Sequence, residues 1–117
     1  MADKIIIYHN PRCSKSRQTL QLLEDKGISP AVVEYLKDPP DEKTLRGVLK
    51  KLGLKPIEAM RTKEAVFKEL GLAQKKDDDD ALIAAMVTNP VLIERPIVVK
   101  GDKAKLGRPP EQVLDIL

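Results

Sequence analysis

Lys4-Ile5-Ile6-Ile7-Tyr8-His9-Asn10-Pro11-Arg12-Cys13-Ser14-Lys15-Ser16-Arg17 changes its periodicity within a few residues, and that change decides the fold. Lys4 to Tyr8 is a short apolar, β-branched run, and His9-Asn10-Pro11 is a cluster of turn formers that halts a strand. From Ser14 the pattern becomes helical. Leu20, Leu22 and Leu23 lie to one side, Lys15, Arg17, Glu24 and Lys26 lie elsewhere, and Gly27 closes the run as a C-terminal cap. The reading is strand, loop, helix, with Cys13 where the helix begins.

Downstream, Ala31 to Leu36 reads as a second strand, bounded by Pro30 and Asp38-Pro39-Pro40. Asp41 is placed to cap a helix reaching about Leu52, and Pro56 to Arg61, Lys63 to Leu70 and Asp79 to Thr88 read as further short helices. Ile97 to Lys100 and Lys103 to Leu106 form a predicted hairpin around Gly101-Asp102, and Pro109-Pro110 open a last helix. The predicted fold is α/β. One domain over residues 1–117 holds a mixed sheet flanked by helices, with a helical insertion at about 41–88 between the second strand and the hairpin.

Composition narrows the function. The 117 residues carry a net charge of only +3 and 3% aromatics, so the stacking aromatics and basic stripe of a nucleic-acid binder are not expected. No apolar run resembles a signal h-region or a membrane span, which predicts a cytoplasmic chain without membrane contact, and the small charged surface suggests a monomer. Lys75-Lys76-Asp77-Asp78-Asp79-Asp80 is a charge run without calcium-loop spacing; it reads as a solvated loop ending in a helix cap, and no metal site is expected.

Cys13 is the only cysteine, so an intrachain disulfide cycle is excluded. A thiol at a helix start meets free backbone N–H groups and the positive end of the helix dipole, which favour thiolate and equally suit a tetrahedral oxyanion. Ser16 has a hydroxyl for the thiolate or the anion, or is an ordinary first-turn residue. Arg17 suits solvent better than the anion. His9 suits either a thiol-tuning partner or a turn residue. A tyrosine-phosphatase loop would need Arg where Thr19 stands, and a thioredoxin motif would need a second Cys where Asn10 or Ser16 stands.

Tyr8 to Arg17, followed by Tyr35 to Pro40, Met60-Arg61, Asn89 to Val99 and Leu106 to Pro109, strongly resembles the glutaredoxin-coupled arsenate reductase (ArsC) family over nearly the whole chain. The resemblance implies a thioredoxin-like fold and a catalytic set of Cys13, Arg61, Arg95 and Arg108, with Ser16, His9 and Ser14 supporting the thiolate or anion. It also makes Pro96 the cis-proline facing the thiol, although only about 5–6% of X–Pro bonds are cis. One departure is Ser14-Lys15 in place of the Gly-Thr of the well-studied branch; Lys15 adds a cation near the anion site.

The expected activity is arsenate reduction: Cys13 thiolate attacks arsenate, and glutathione and a glutaredoxin complete reduction to arsenite. Glutathione is a cosubstrate and no tightly bound cofactor is expected. The alternatives are another glutathione-linked thiol reaction in the same site, such as deglutathionylation, or a regulatory binding module of the same fold.

Overall fold

The structure, a computed structural model, describes residues 4–117. Its strands are β1 (Ile5–Tyr8), β2 (Ala31–Val33), β3 (Ile97–Lys100) and β4 (Lys103–Leu106), and its α-helices are α1 (Ser14–Asp25), α2 (Glu42–Leu52), α3 (Ala65–Glu69) and α4 (Asp79–Thr88). The sheet order is β2-β1-β3-β4. β1 runs parallel to β2, with Tyr8 opposite Val33, and antiparallel to β3, with Ile7 opposite Val98; β3 and β4 form the hairpin. This is the mixed, helix-flanked sheet of the thioredoxin-like class. The chain divides into two compact units: the segments up to Asp38 and from Arg95 to Leu117 form the first, and Pro39–Glu94 forms the second.

In the first unit, Ile7, Leu23, Val98, Val113 and Ile116 make one buried cluster, joining the sheet, α1 and the C-terminal segment. Truncating any one of its large aliphatics would cost about 2–5 kcal/mol. Helix α1 ends in a Schellman arrangement: Ile28 N–H donates to Leu23 O and Gly27 N–H to Glu24 O, with Gly27 at φ +78°. β2 stops at Val33, short of the expected Leu36. Its partner row on β1 ends at Tyr8, and Lys37 and Asp38 N–H groups both donate to Glu34 O in a turn. The last helix is a 3-10 helix, Pro110–Ile116, in which Gln112 N–H donates to the carbonyl of Pro109.

In the second unit, Asp41 caps α2 by accepting from Thr44 N–H at 2.8 Å, and Asp78 caps α4 by accepting from Ala81 N–H at 3.1 Å. The acidic run thus serves helix capping, and Asp80 also pairs with Arg46 at 2.8 Å. The helix expected from Pro56 to Arg61 is a 3-10 turn over Pro56–Ala59, because Met60 is extended and bridges Ile93. Two further 3-10 turns, Leu72–Lys75 and Pro90–Leu92, carry no clear sequence signal. Among the described residues no helix is long and apolar enough to cross a membrane.

Candidate active site

The loop between β1 and α1 is built by short-range hydrogen bonds. Asn10 Oδ1 accepts from Arg12 N–H at 3.0 Å and Asn10 O accepts from Cys13 N–H at 3.0 Å, so one asparagine folds the turn that presents the thiol. Arg17 lies exposed and donates from Nη1 to Pro11 O at 2.9 Å, bracing the same loop. Cys13 is the N-cap residue of α1, extended at φ −94° and ψ 124°, and its carbonyl accepts the first helical bond from Arg17 N–H.

Beneath the turn, Ser16 is fully buried. Its hydroxyl oxygen accepts from Asn10 N–H at 3.0 Å and lies 2.6 Å from His9 Nδ1. The hydroxyl is therefore engaged with the loop, whereas the backbone N–H of Ser16 is the group that reaches Cys13. Burial lowers the pKa of His9, Glu34 opposes that shift and Arg17 adds to it, so the ring is held neutral at pH 7.

Burial pushes the Cys13 thiol pKa up, but the backbone N–H of Ser16, the hydrogen bond and charge of Arg95, and the backbone N–H of Lys15 together bring it below the ordinary value. Arg95 precedes β3 through a cis Arg95–Pro96 bond, and a second cis bond joins Arg108 to Pro109. Arg108 is exposed and donates from Nη1 to Arg95 O at 3.4 Å. Pro96 is buried, and its carbonyl accepts from Gly107 N–H at 2.9 Å. Ser14 and Lys15 begin α1 with exposed side chains.

The first unit thus brings together Cys13, Arg95, Arg108, Pro96, His9, Ser14 and Ser16. Arg61 belongs to the second unit, where its side chain pairs with Glu94 at 3.5 Å and Glu64 at 3.6 Å and its N–H donates to Leu92 O at 2.8 Å. Sequence reasoning missed Gly107. A Cβ there would stand 2.5 Å from Thr19 Oγ1 and 2.7 Å from Pro96 Cγ, so only glycine allows α1, Pro96 and the start of the Arg108 segment to meet as they do. The Asn10 turn had a legible signal in Asn-Pro; Gly107 had none without its distant neighbours.

Among the described residues no group of His, Cys, Asp and Glu could hold a metal ion. The arrangement offers a thiol shifted toward thiolate, backbone donors and guanidinium groups, a set suited to binding a tetrahedral oxyanion and attacking its central atom.

A family model described as the ArsC family matches residues 8–116. This chain belongs to the ArsC family. Every site residue named above lies inside the matched span. Similar proteins include the uncharacterized protein YfgD of Escherichia coli (strain K12), 57% identical over 100% of this chain and 99% of that protein. The arsenate reductase of Haemophilus influenzae is 50% identical over 97% of this chain and 98% of that protein. The solved arsenate reductase from Vibrio cholerae superposes with a TM-score of 0.95 at 52% identity, covering 100% of both chains.

Proposed function

We propose that this chain is an arsenate reductase that takes its two electrons from glutathione and a glutaredoxin. The observation that carries the reading is the placement of Cys13 as the N-cap residue of α1, where Ser16 N–H, Lys15 N–H and Arg95 reach its thiol. The relatives named arsenate reductase support the substrate.

The helix N–H groups and the guanidinium of Arg95 hold the arsenate oxygens, with Arg108 adding to the charge neutralisation. Cys13 sulfur attacks arsenic; an As–O bond breaks, and the departing hydroxide takes a proton and leaves as water, giving a Cys13–S–As(V) adduct. Glutathione sulfur then forms a second S–As bond as another As–O bond breaks and its oxygen leaves as water. Attack of a glutaredoxin thiolate on that glutathione sulfur makes the mixed disulfide and leaves the S–As electron pair on arsenic, and water hydrolyses the resulting Cys13–S–As(III) to arsenite and free Cys13. With no second cysteine in the chain, a glutaredoxin thiol supplies the other sulfur. In sum, two thiols become one disulfide, and arsenate with the required protons becomes arsenite and water. The reaction suits a reducing cytoplasm, a monomer and no tightly bound cofactor.

The test is arsenate-dependent NADPH consumption with glutathione, glutathione reductase and a glutaredoxin. Cys13→Ser should fall to background. Arg95→Ala should lose about 100-fold or more in kcat/KM, the usual scale for one preorganised donor. A wild type that shows no arsenate-dependent turnover while Cys13 is reduced and alkylatable at neutral pH would overturn the reading.

A further inference from the structure

Beside the thiol loop, in the first unit, lies a cavity of about 250 Å³. Asn10, Pro11 and Arg12 contribute to it from the loop, and Glu34, Leu36 and Lys37 from the turn after β2. The cations are Arg12 and Lys37, and the anion is Glu34. Lys37 Nζ and Glu34 Oε1 are 3.7 Å apart and largely exposed, a loose pair that a ligand's own charges can replace. Leu36 is 43% exposed and, with Pro11, gives the lining an apolar portion.

We infer that this cavity is the glutathione subsite, a conclusion that rests on the glutathione dependence proposed above. Glutathione carries two carboxylates and one ammonium, and the lining offers two cations and one carboxylate. Glu34 discriminates against a bare oxyanion, which it would repel, and in favour of a ligand with an α-ammonium. The volume lies just below the range of about 300–1,000 Å³ usual for small-molecule sites, which fits a tripeptide seated in part and open to solvent in part. Arg12 is one residue from Cys13, with Cα atoms about 3.8 Å apart. Cys13 is not itself in the lining, so the tripeptide must extend from the cavity past Arg12 to bring its thiol to the arsenic carried by Cys13. Loop preorganisation supports the assignment: Asn10 Oδ1 fixes the Arg12 backbone, so binding need not order it.

The experiment varies glutathione at saturating arsenate for wild type, Arg12→Ala, Lys37→Ala and Glu34→Gln, beside an NMR titration of the wild-type chain with S-methylglutathione. Each cation removed should raise KM for glutathione about tenfold, the scale of one charge-assisted hydrogen bond, with KM for arsenate within about twofold. Glu34→Gln should also raise KM for glutathione. S-methylglutathione should shift the amides of residues 9–12 and 34–37. Should the wild type lack glutathione-dependent turnover, the activity reading fails, and the amide shifts alone decide whether the cavity binds the tripeptide. The subsite is overturned if S-methylglutathione shifts none of these amides. It is likewise overturned if the cation variants raise KM for arsenate instead, or if Glu34→Gln lowers KM for glutathione, as a bare anion site would require.

Discussion

Helices α1 and α4 begin in opposite ways. At α4, Asp78 accepts from Ala81 N–H, and Asp79 and Asp80 follow in the first turn, so the free N–H groups and the dipole are satisfied from within the chain. At α1, the N-cap residue is Cys13, no side chain among the described residues caps the helix, and its first turn holds no acidic residue. The donors that a carboxylate satisfies in α4 are left at α1 for a thiolate and an incoming anion. The difference teaches that the site is made as much by what α1 lacks as by what it contains. A helix start whose N–H groups face the Cys13 sulfur rather than a capping carboxylate supplies the electrostatic field that the proposed chemistry needs.

The strongest way to break the contrast is to give α1 the cap α4 has. Cys13→Asp puts a carboxylate where the thiolate stands, beside the same N–H groups and Arg95. Arsenate reduction should drop to background, while the folded state gains on the order of 1 kcal/mol, or several degrees in Tm, by the ordinary capping increment. Paired thermal melts and coupled assays check both halves. A variant less stable than wild type would mean that α1 is not short of a cap.

Next in size is Gly107→Ala. The added methyl has nowhere to go between Thr19 and Pro96, and overpacking of this kind costs about 1–3 kcal/mol. Because Gly107 adjoins Arg108 and its N–H donates to Pro96 O, the strain also moves the segments carrying Arg108 and Arg95. A tenfold or larger fall in kcat/KM is expected, on the order of the cost of misplacing a reacting group. Thr19→Ala in the same chain removes the nearer obstacle and should recover part of both losses; no recovery would locate the effect at Pro96 alone.

Much of this was legible from local signals. The strand-to-helix change around Cys13, the Gly27 cap, the Asp41 cap and the Gly101-Asp102 hairpin each depend on a few neighbouring residues, and the structure places them as the sequence suggests. What was not legible depends on distant partners. β2 ends where β1 runs out of residues to pair; Met60 leaves a helical turn to bridge Ile93; and Ser16 turns its hydroxyl to His9 because that ring, seven residues away, is buried beside it. Gly107 belongs to the same class, since its reason lies on α1 and at Pro96.

A third, smaller effect separates the thiolate's supports. Burial raises the Cys13 pKa, while Ser16 N–H, Arg95 and Lys15 N–H lower it, so removing Arg95 leaves burial opposed by backbone donors alone. Folded-state thiolate is favoured above the depressed pKa and lost as pH falls through it. Arg95→Ala should therefore move the midpoint of iodoacetamide alkylation to higher pH and slow alkylation at pH 7. An unchanged midpoint would assign the whole effect to the backbone donors at the helix start.

The smallest expected effect tests the other side of the contrast. Asp78→Ala removes the α4 cap and should cost about 1 kcal/mol in denaturant unfolding, with no change in kcat/KM, because α4 spends its helix start on stability. Asp78→Asn keeps an acceptor for Ala81 N–H and loses the charge, so the difference between the two variants divides the hydrogen bond from the dipole interaction. Asn caps about as well as Asp, so most of the stability should return with Asn. If neither variant changes stability, Asp79 and Asp80 already satisfy the α4 terminus, and the contrast with α1 then rests on first-turn charge rather than on the cap.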